Sequence, residues 1–433
     1  MTVTRGGQQP YLTDIRWSRA PAGQTPPEVA VVDTGIDGTH PSLRQRVDVA
    51  GSRSFAEGSP NPFEDHDGHG THVAGIIAGQ AVGSSVHGVS SARLLIVKVA
   101  DSSGSATTSA LVRGIRYAAA RGARVINVSF GGGGYSAPEQ EAIADAVARG
   151  ALVVVAGGNS GRTVREFPGA YRHVLSVAAV DDSGQPLPTS TGGSQIALAA
   201  PGANLLSTLP GGYGTLSGSS MAAAVVSGVA ARVWAARPSL KASQVRAILV
   251  ASARDVGPVG PDPGTGAGMV DLAHALTLPT PPADSPEPND DPRQAARRRP
   301  GLWNSGAAEA TLRGTVGSWD DPRDMYRVTL TQGESLTATL TGPSGTDMDL
   351  RLWRPGTPGY RPGARFARTW LAGTSIGPGA DETLSFTAVS AGVYDIDVTG
   401  VRGSGAYTLR LRRTAAGTLP APATPASRPR TRP

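Results

Sequence analysis

Leu216-Ser217-Gly218-Ser219-Ser220-Met221-Ala222-Ala223-Ala224-Val225-Val226-Ser227-Gly228 sets small polar residues directly against an apolar run, with Ser220 at the join. From Ser220 to Ala236 the residues are mostly Ala and Val, and Gly228 is the one helix breaker. A helix apolar on nearly all sides is a buried one. A serine in its first turn meets unpaired backbone N–H groups at the positive end of the helix dipole. That is a favourable place for a nucleophile whose attack builds an oxyanion. Read alone, the stretch is more readily a Ser N-cap on a core helix. The rest of the chain decides between the two.

Working outward, Val29–Asp33 is a short apolar run that ends in a carboxylate and a Thr-Gly turn. Similar runs recur at Leu94–Val99, Val125–Phe130, Leu152–Ala156 and Val174–Val180. Between several of them lie Ala- and Arg-rich segments with apolar residues at helical spacing, near 106–121 and 137–149. Buried strands alternating with helices predict an α/β domain over 29–277, a mostly parallel sheet flanked by helices. Chemistry in such sheets collects just beyond the carboxyl ends of the strands. Asp33, the glycines after Phe130, and Asn159 all fall there.

Residues 1–28 read as an irregular arm, polar and without a signal-peptide core; an exported form would need a leader beyond this sequence. Residues 278–301 are Pro-rich, acidic and then basic, and predict an extended linker. From 302 to 413 the hydrophobicity alternates at period two between Gly and Pro punctuation, as in Tyr326–Leu330, Ser335–Leu340, Asp349–Trp353, Val393–Val398 and Tyr407–Leu411. This predicts a small all-β sandwich domain. The Pro/Ala/Arg-rich 414–433 reads as a disordered tail.

Composition narrows the function. The net charge of +6 is carried by arginine, since Lys98 and Lys241 are the only lysines. Apart from Arg297-Arg298-Arg299 and the Arg-Pro tail the arginines are scattered, and they have no interleaved aromatics, which argues against a nucleic-acid partner. Cysteine is absent, so disulfides, thiolate metal ligands and a thiol nucleophile are excluded. No stretch reads as a membrane span, because the 221–236 run carries Ser227 and Arg232.

Three separated stretches then complete a constellation: Val31-Val32-Asp33-Thr34-Gly35-Ile36-Asp37, Asp67-Gly68-His69-Gly70-Thr71-His72-Val73-Ala74-Gly75, and the Ser220 segment. Singly, Asp33 reads as a strand-end turn and Asn159 as a loop residue. In this order and spacing they resemble the subtilisin-like serine peptidases across about 29–277. The resemblance implies a nucleophile Ser220, a base His69 and an orienting Asp33. It implies an oxyanion hole from the Asn159 amide and the Ser220 N–H, and gives His72 a structural role. Ser129, Phe130 and Gly131 resemble the family's substrate-binding edge, and Gly157 lies in its oxyanion-hole strand. An aromatic-Pro pair, here Phe167-Pro168, follows the position that closes the specificity pocket and places Glu166 there.

Asp37, Asp65, Asp67 and His66 read as loop and supporting residues. Ser219 stands where the family usually has Thr, and keeps the hydroxyl. Ala224 replaces the proline of Met-Ala-Ser-Pro-His, which restores a backbone N–H and is expected to loosen packing beside the nucleophile. Ser42 lies where many members place a calcium-ligating Asp, and the 80–87 loop has little ligand chemistry, so that calcium site is not expected. No cofactor is required for the chemistry, and Ca²⁺ enters only as a structural ion. The prodomain usual in the family is also absent from the sequence.

The distal module resembles the bacterial pre-peptidase C-terminal domain through Asp324–Val328, Thr346–Leu350 and Gly405–Leu409. Such domains accompany secreted peptidases, implying an extracellular bacterial protein. Asp320, Asp321, Asp347 and Asp349 are candidate oxygen ligands for Ca²⁺, or else turn residues. Together these readings point to a serine endopeptidase acting on proteins or peptides. A peptide ligase on the same triad and a non-catalytic adhesion protein are the alternatives.

Overall fold

Strand β1 (Val29–Asp33) is buried at every position, because a neighbour lies on each edge and helices cover both faces. The fold is that of a computed structural model describing residues 9–18, 25–281, 289–290, 295, 308–317, 322–358 and 364–415. The chain divides into two compact units at Pro288/Asn289.

In the first unit, β1 pairs with β3 (Leu94–Lys98) and β4 (Val125–Val128). The short β2 (Arg53–Ser54) flanks β3, and β5 (Leu152–Ala156), β6 (Val174–Val180) and β7 (Leu198–Pro201) continue beyond β4. The order is β2-β3-β1-β4-β5-β6-β7, parallel throughout. Alternate side chains feed two core layers. Val29 and Val31 pack with helices α2 (His69–Ala78) and α5 (Ser219–Ala236). Ala30 and Val32 pack with α3 (Thr108–Ala120) and α4 (Ala137–Ala148). Every strand expected from the apolar runs is present, as are both expected helices.

Helix α5 lies against β4 to β7 and is buried along nearly its whole length. Its residues Val225, Val226, Val229 and Val233 are fully enclosed, each contributing about 1.5–3 kcal/mol of burial. Gly228 permits the closest approach, since a Cβ there would fall 2.6 Å from that of Val89. By length and composition α5 is apolar enough to cross a bilayer, contrary to the sequence expectation. It is 94% buried instead, which makes it the core helix of the domain. The hairpin β8 (Leu205–Leu209) and β9 (Gly212–Leu216) leads into it, and α6 (Ala242–Ala251) and α7 (Leu272–Thr277) close the same side.

The N-terminal arm is not irregular where it is described. Residues Pro10–Asp14 form the helix α1, and Tyr11, Leu12 and Ile15 enter the α5 core layer. Leu272 N donates to Ile15 O at 2.9 Å, tying the arm to α7. So short a helix is held by packing, with little help from propensity.

In the second unit, β10 (Glu309–Gly317), β17 (Ser404–Thr414), β12 (Ser335–Thr341) and β15 (Glu382–Thr387) form one antiparallel sheet. The other contains β11 (Arg323–Leu330), β16 (Gly392–Arg402), β13 (Asp347–Trp353) and β14 (Leu371–Ser375). Leu336, Ala338 and Leu340 from the first meet Val328, Leu350 and Ile396 from the second in one core, the expected sandwich. The short helix α8 (Ala364–Trp370) precedes β14. This unit begins before 302: Asn289 and Ala295 are fully buried, and Met325 N donates to Asn289 O at 3.1 Å. Part of the 278–301 stretch expected to be linker therefore belongs to the sandwich. Residues 278–281 stay with the first unit, where Leu278 O accepts from Arg237 and Pro281 O from Gln244; 282–288, 291–294, 296–301, Asp320, Asp321 and nearly all of the 414–433 tail lie outside the described residues.

Candidate active site

Asp33 ends β1 at the carboxyl edge of the sheet, with no solvent exposure. Its Oδ1 accepts from Thr34 N and faces His69 Nδ1, each at 2.8 Å. A carboxylate there holds the ring proton on Nδ1, which leaves the Nε2 lone pair as the base. His69 is the first residue of α2. Gly70 beside it must be glycine, since a Cβ would fall 2.1 Å from Gly35 O. Asp65 fixes the two segments together: it accepts from Thr34 Oγ1 (2.8 Å), Gly68 N (2.9 Å), Thr71 N (2.8 Å) and Thr71 Oγ1 (2.6 Å). Beneath them Lys98 is fully buried and donates to Thr34 O (2.5 Å) and Glu64 O (2.8 Å). Burial works against the His69 imidazolium, but the charge and hydrogen bond of Asp33, with Asp67 and Asp65 behind, outweigh it and raise its pKa.

Ser220 is the second residue of α5 and 7% exposed. Its Oγ donates to Ser129 O at 3.3 Å, so the resting hydroxyl points to the end of β4 and not to His69. Such bonds tighten only when substrate binds. Met221 N and Ala222 N donate to Gly218 O, and Ser219 N to Asn159. Among the described hydrogen bonds none uses Ser220 N, which stays available at the positive helix end.

Asn159 follows β5. Its Oδ1 accepts from Ser219 N at 2.9 Å and from Ser219 Oγ at 3.1 Å, which turns Nδ2 away as a free donor. Ser219 Oγ also accepts from Gly158 N at 3.2 Å. The hydroxyl retained at 219 thus orients the Asn159 amide, a contact the sequence reading did not give it. Gly218 has φ 141°, and a Cβ there would press to 3.3 Å from Asn159 Oδ1.

Glycines follow both β4 and β5 at the carboxyl edge of the sheet. A Cβ on Gly131 would lie 3.7 Å from Gly158 Cα and 4.0 Å from Glu166 Oε2. A Cβ on Gly158 would collide with Glu166 Oε2 at 1.9 Å. The half-buried Glu166 therefore sets its carboxylate between the two glycine strips. Gly157 packs on Val177 and Ile196 below. Ser129 contributes its carbonyl, while its Oγ accepts from Asn127 at 2.8 Å. The Phe130 ring packs on the α3/α4 core layer. Tyr135, 64% exposed, meets Phe167 edge-on with ring centroids 5.6 Å apart; it gave no sequence signal.

Residues 26–268 match the subtilase family, more than half of the chain. The chain belongs to the subtilase family. It is 40% identical over 236 residues to subtilisin amylosacchariticus of Bacillus subtilis subsp. amylosacchariticus, covering 53% of this chain and 61% of that protein. It is 43% identical over 220 residues to the thermostable alkaline protease of Halalkalibacterium halodurans, covering 50% and 59%. The chain thus spans about three fifths of the length of these two relatives. The structure of Sphericase superposes with a TM-score of 0.56 at 31% identity, over 62% of this chain and 99% of that one. Residues 322–400 match the bacterial pre-peptidase C-terminal domain.

Two features of this subtilase domain depart from expectation or extend it. The packing beside Ser220 is not opened by the missing proline: Ala222, Ala223 and Ala224 are all fully buried, because β4 to β7 close around them. His72 Nε2 lies 2.9 Å from Leu205 O and 3.2 Å from Gly214 O, joining α2 to the β8–β9 hairpin. Burial outweighs those bonds and pushes its pKa down to about 4, so the ring is neutral.

The donor set does not fit the family's calcium site. Ser42 Oγ is spent on Tyr213 Oη at 2.7 Å. Around the 80–87 loop, Gln9 Nε2 donates to His87 O (2.9 Å) and Leu206 O (3.2 Å), and its Oε1 accepts from His87 N (2.9 Å). Neutral hydrogen bonds hold the loop. In the sandwich, Asp349 Oδ2 pairs with Arg351 at 2.5 Å and Asp347 Oδ1 accepts from Gly379 N at 3.2 Å. Among the described residues no group of three or more His, Asp or Glu is placed to hold a metal.

Proposed function

We propose that this chain is an extracellular serine endopeptidase that hydrolyses peptide bonds through an acyl-enzyme on Ser220. The observation that carries the reading is the pairing of His69 with Asp33 beside an Asn159 amide locked by Ser219, next to the unpaired Ser220 N–H. Ser220 Oγ attacks the carbonyl carbon and His69 Nε2 takes its proton. The oxyanion accepts from Asn159 Nδ2 and Ser220 N. Collapse breaks the C–N bond, and His69 returns the proton to the leaving amine. Water, deprotonated by His69, then attacks the ester and releases the acid and Ser220.

Because the base must be neutral and its pKa is raised, kcat/KM is expected to fall with acidification through a midpoint above the ordinary imidazole value of about 6.5. A pH profile on a reporter peptide checks this, and a midpoint below about 6 contradicts it.

The Glu166 carboxylate in a partly desolvated pocket favours a cation, so the acyl-side residue is Arg or Lys. Mass spectrometry of a digested peptide library tests both claims. Cuts after Arg and Lys are expected to dominate, each product pair heavier than its parent by one water. Glu166→Gln is expected to lower kcat/KM for those sites about 10- to 100-fold. Cuts chiefly after Phe and Leu, unchanged in Glu166→Gln, overturn the pocket assignment. Joined peptides in place of hydrolysed ones favour the ligase.

A further inference from the structure

A second serine ties the helix that carries Ser220 to the strand beside it. Ser227 lies two turns along α5 from Ser220, so both side chains leave the same face of the helix. That face meets β4, where Asn127 and Ser129 point to the same side of the sheet. Ser227 Oγ donates to Asn127 Oδ1 at 2.9 Å, and Asn127 Nδ2 donates to Ser129 Oγ at 2.8 Å. Ser129 O in turn accepts from Ser220 Oγ at 3.3 Å. Ser227 and Asn127 are fully buried, and Ser129 and Ser220 are nearly so.

The position of Asn127 is unusual for an amide. Its partners across the ladder on either edge, Val31 and Val154, both belong to the aliphatic core layer under α5. Burying an amide there costs free energy unless its oxygen and nitrogen both find partners. Both do, and the two bonds lead one way to α5 and the other way to Ser129. Ser129 needs such a hold, since the paired register of β4 ends at Val128 on both edges. Four glycines, 131–134, begin two residues further on. The bond-breaking steps make no use of Asn127 or Ser227. We infer that Ser227 is a positioning residue that acts through Asn127 on Ser129, holding the helix of Ser220 and the strand end beside it in one register. The inference rests on the reading of Ser220 as the nucleophile.

The test is a double-mutant cycle. kcat/KM on a reporter peptide is measured for wild type, Ser227→Ala, Ser129→Ala and the double variant, well below the lowest melting temperature of the four. A misplacement of about 1 Å remote from the chemistry can cost about 10²-fold, and one cut in this chain of bonds is expected to cost about 10-fold. The double variant is expected to lose about 10-fold as well, because the second cut falls on a chain already broken. Side chains with separate structural roles would multiply their losses to about 100-fold, and that result overturns the inference. So does a Ser227→Ala variant whose melting temperature drops while its kcat/KM is unchanged. The same cycle, read in the rate at which a fluorophosphonate modifies Ser220, separates the inference from its foundation. The same non-additive pattern is expected there. If wild type is labelled at Ser220 but hydrolyses no peptide, the peptidase reading fails and the labelling cycle still decides the role of Ser227. If wild type is neither labelled nor active, both fall.

Discussion

Ser220→Ala is expected to lower kcat on a peptide reporter by about a millionfold, the scale on which removal of a triad nucleophile acts. The fold should not notice. The lost hydroxyl makes one described hydrogen bond, 3.3 Å long, to Ser129 O. A melting temperature within a few degrees of wild type is therefore expected alongside the loss of activity. Ser219→Ala provides the contrast. Its Oγ is one of two donors on Asn159 Oδ1, and the backbone donor at 2.9 Å remains. A loss of about 10- to 100-fold is expected, below the 10²–10³ of deleting an oxyanion donor outright. Equal losses in the two serine variants, or retained turnover in Ser220→Ala, would contradict the assignment of the nucleophile.

Asp33→Asn is expected to cost about 10⁴ in kcat. The amide is isosteric and fits the same fully enclosed site at the end of β1. Thr34 N, however, is a donor to Oδ1 and selects the amide oxygen for that position, facing His69 Nδ1. That neutral oxygen still accepts the Nδ1 proton, but no charge steadies the imidazolium, and an amide turned with Nδ2 to the ring holds the unreactive tautomer. The carboxylate is also the chief cause that raises the His69 pKa. The residual activity should therefore show its acid limb at lower pH than wild type. A variant with nearly full kcat, or an acid limb that stays in place, would mean that Asp33 does not act on His69.

What the sequence revealed follows from where the physics is local. A strand run that ends in Asp33, and an Ala/Val helix that begins at Ser220, declare themselves within a dozen residues, because burial on both faces demands unbroken apolar runs. Glu166 was legible through its neighbours Phe167 and Pro168. Lys98 was not: a lysine at a strand end looks solvated, and its carbonyl partners Thr34 and Glu64 come from distant segments. Ser219 reads in the sequence only as a hydroxyl kept where the family usually has Thr, because the Asn159 it holds lies 60 positions away. Helix α1 hid in a polar arm, since five residues carry too little periodicity to show a face. Asn289 and Ala295 hid likewise. A Pro-rich acidic stretch has the composition of a linker, and only the strand at Met325 and the ring of Trp353 give it something to cover.

Treatment of the full chain with a fluorophosphonate probe, followed by proteolytic mapping of the adduct, addresses the nucleophile itself. Phosphonylation needs an activated serine and leaves a mass tag on it. A single adduct on Ser220 is expected, formed in step with loss of peptidase activity, and absent from Ser220→Ala. An adduct on another residue, or an active enzyme that the probe leaves unmodified, would contradict an acyl-enzyme at Ser220.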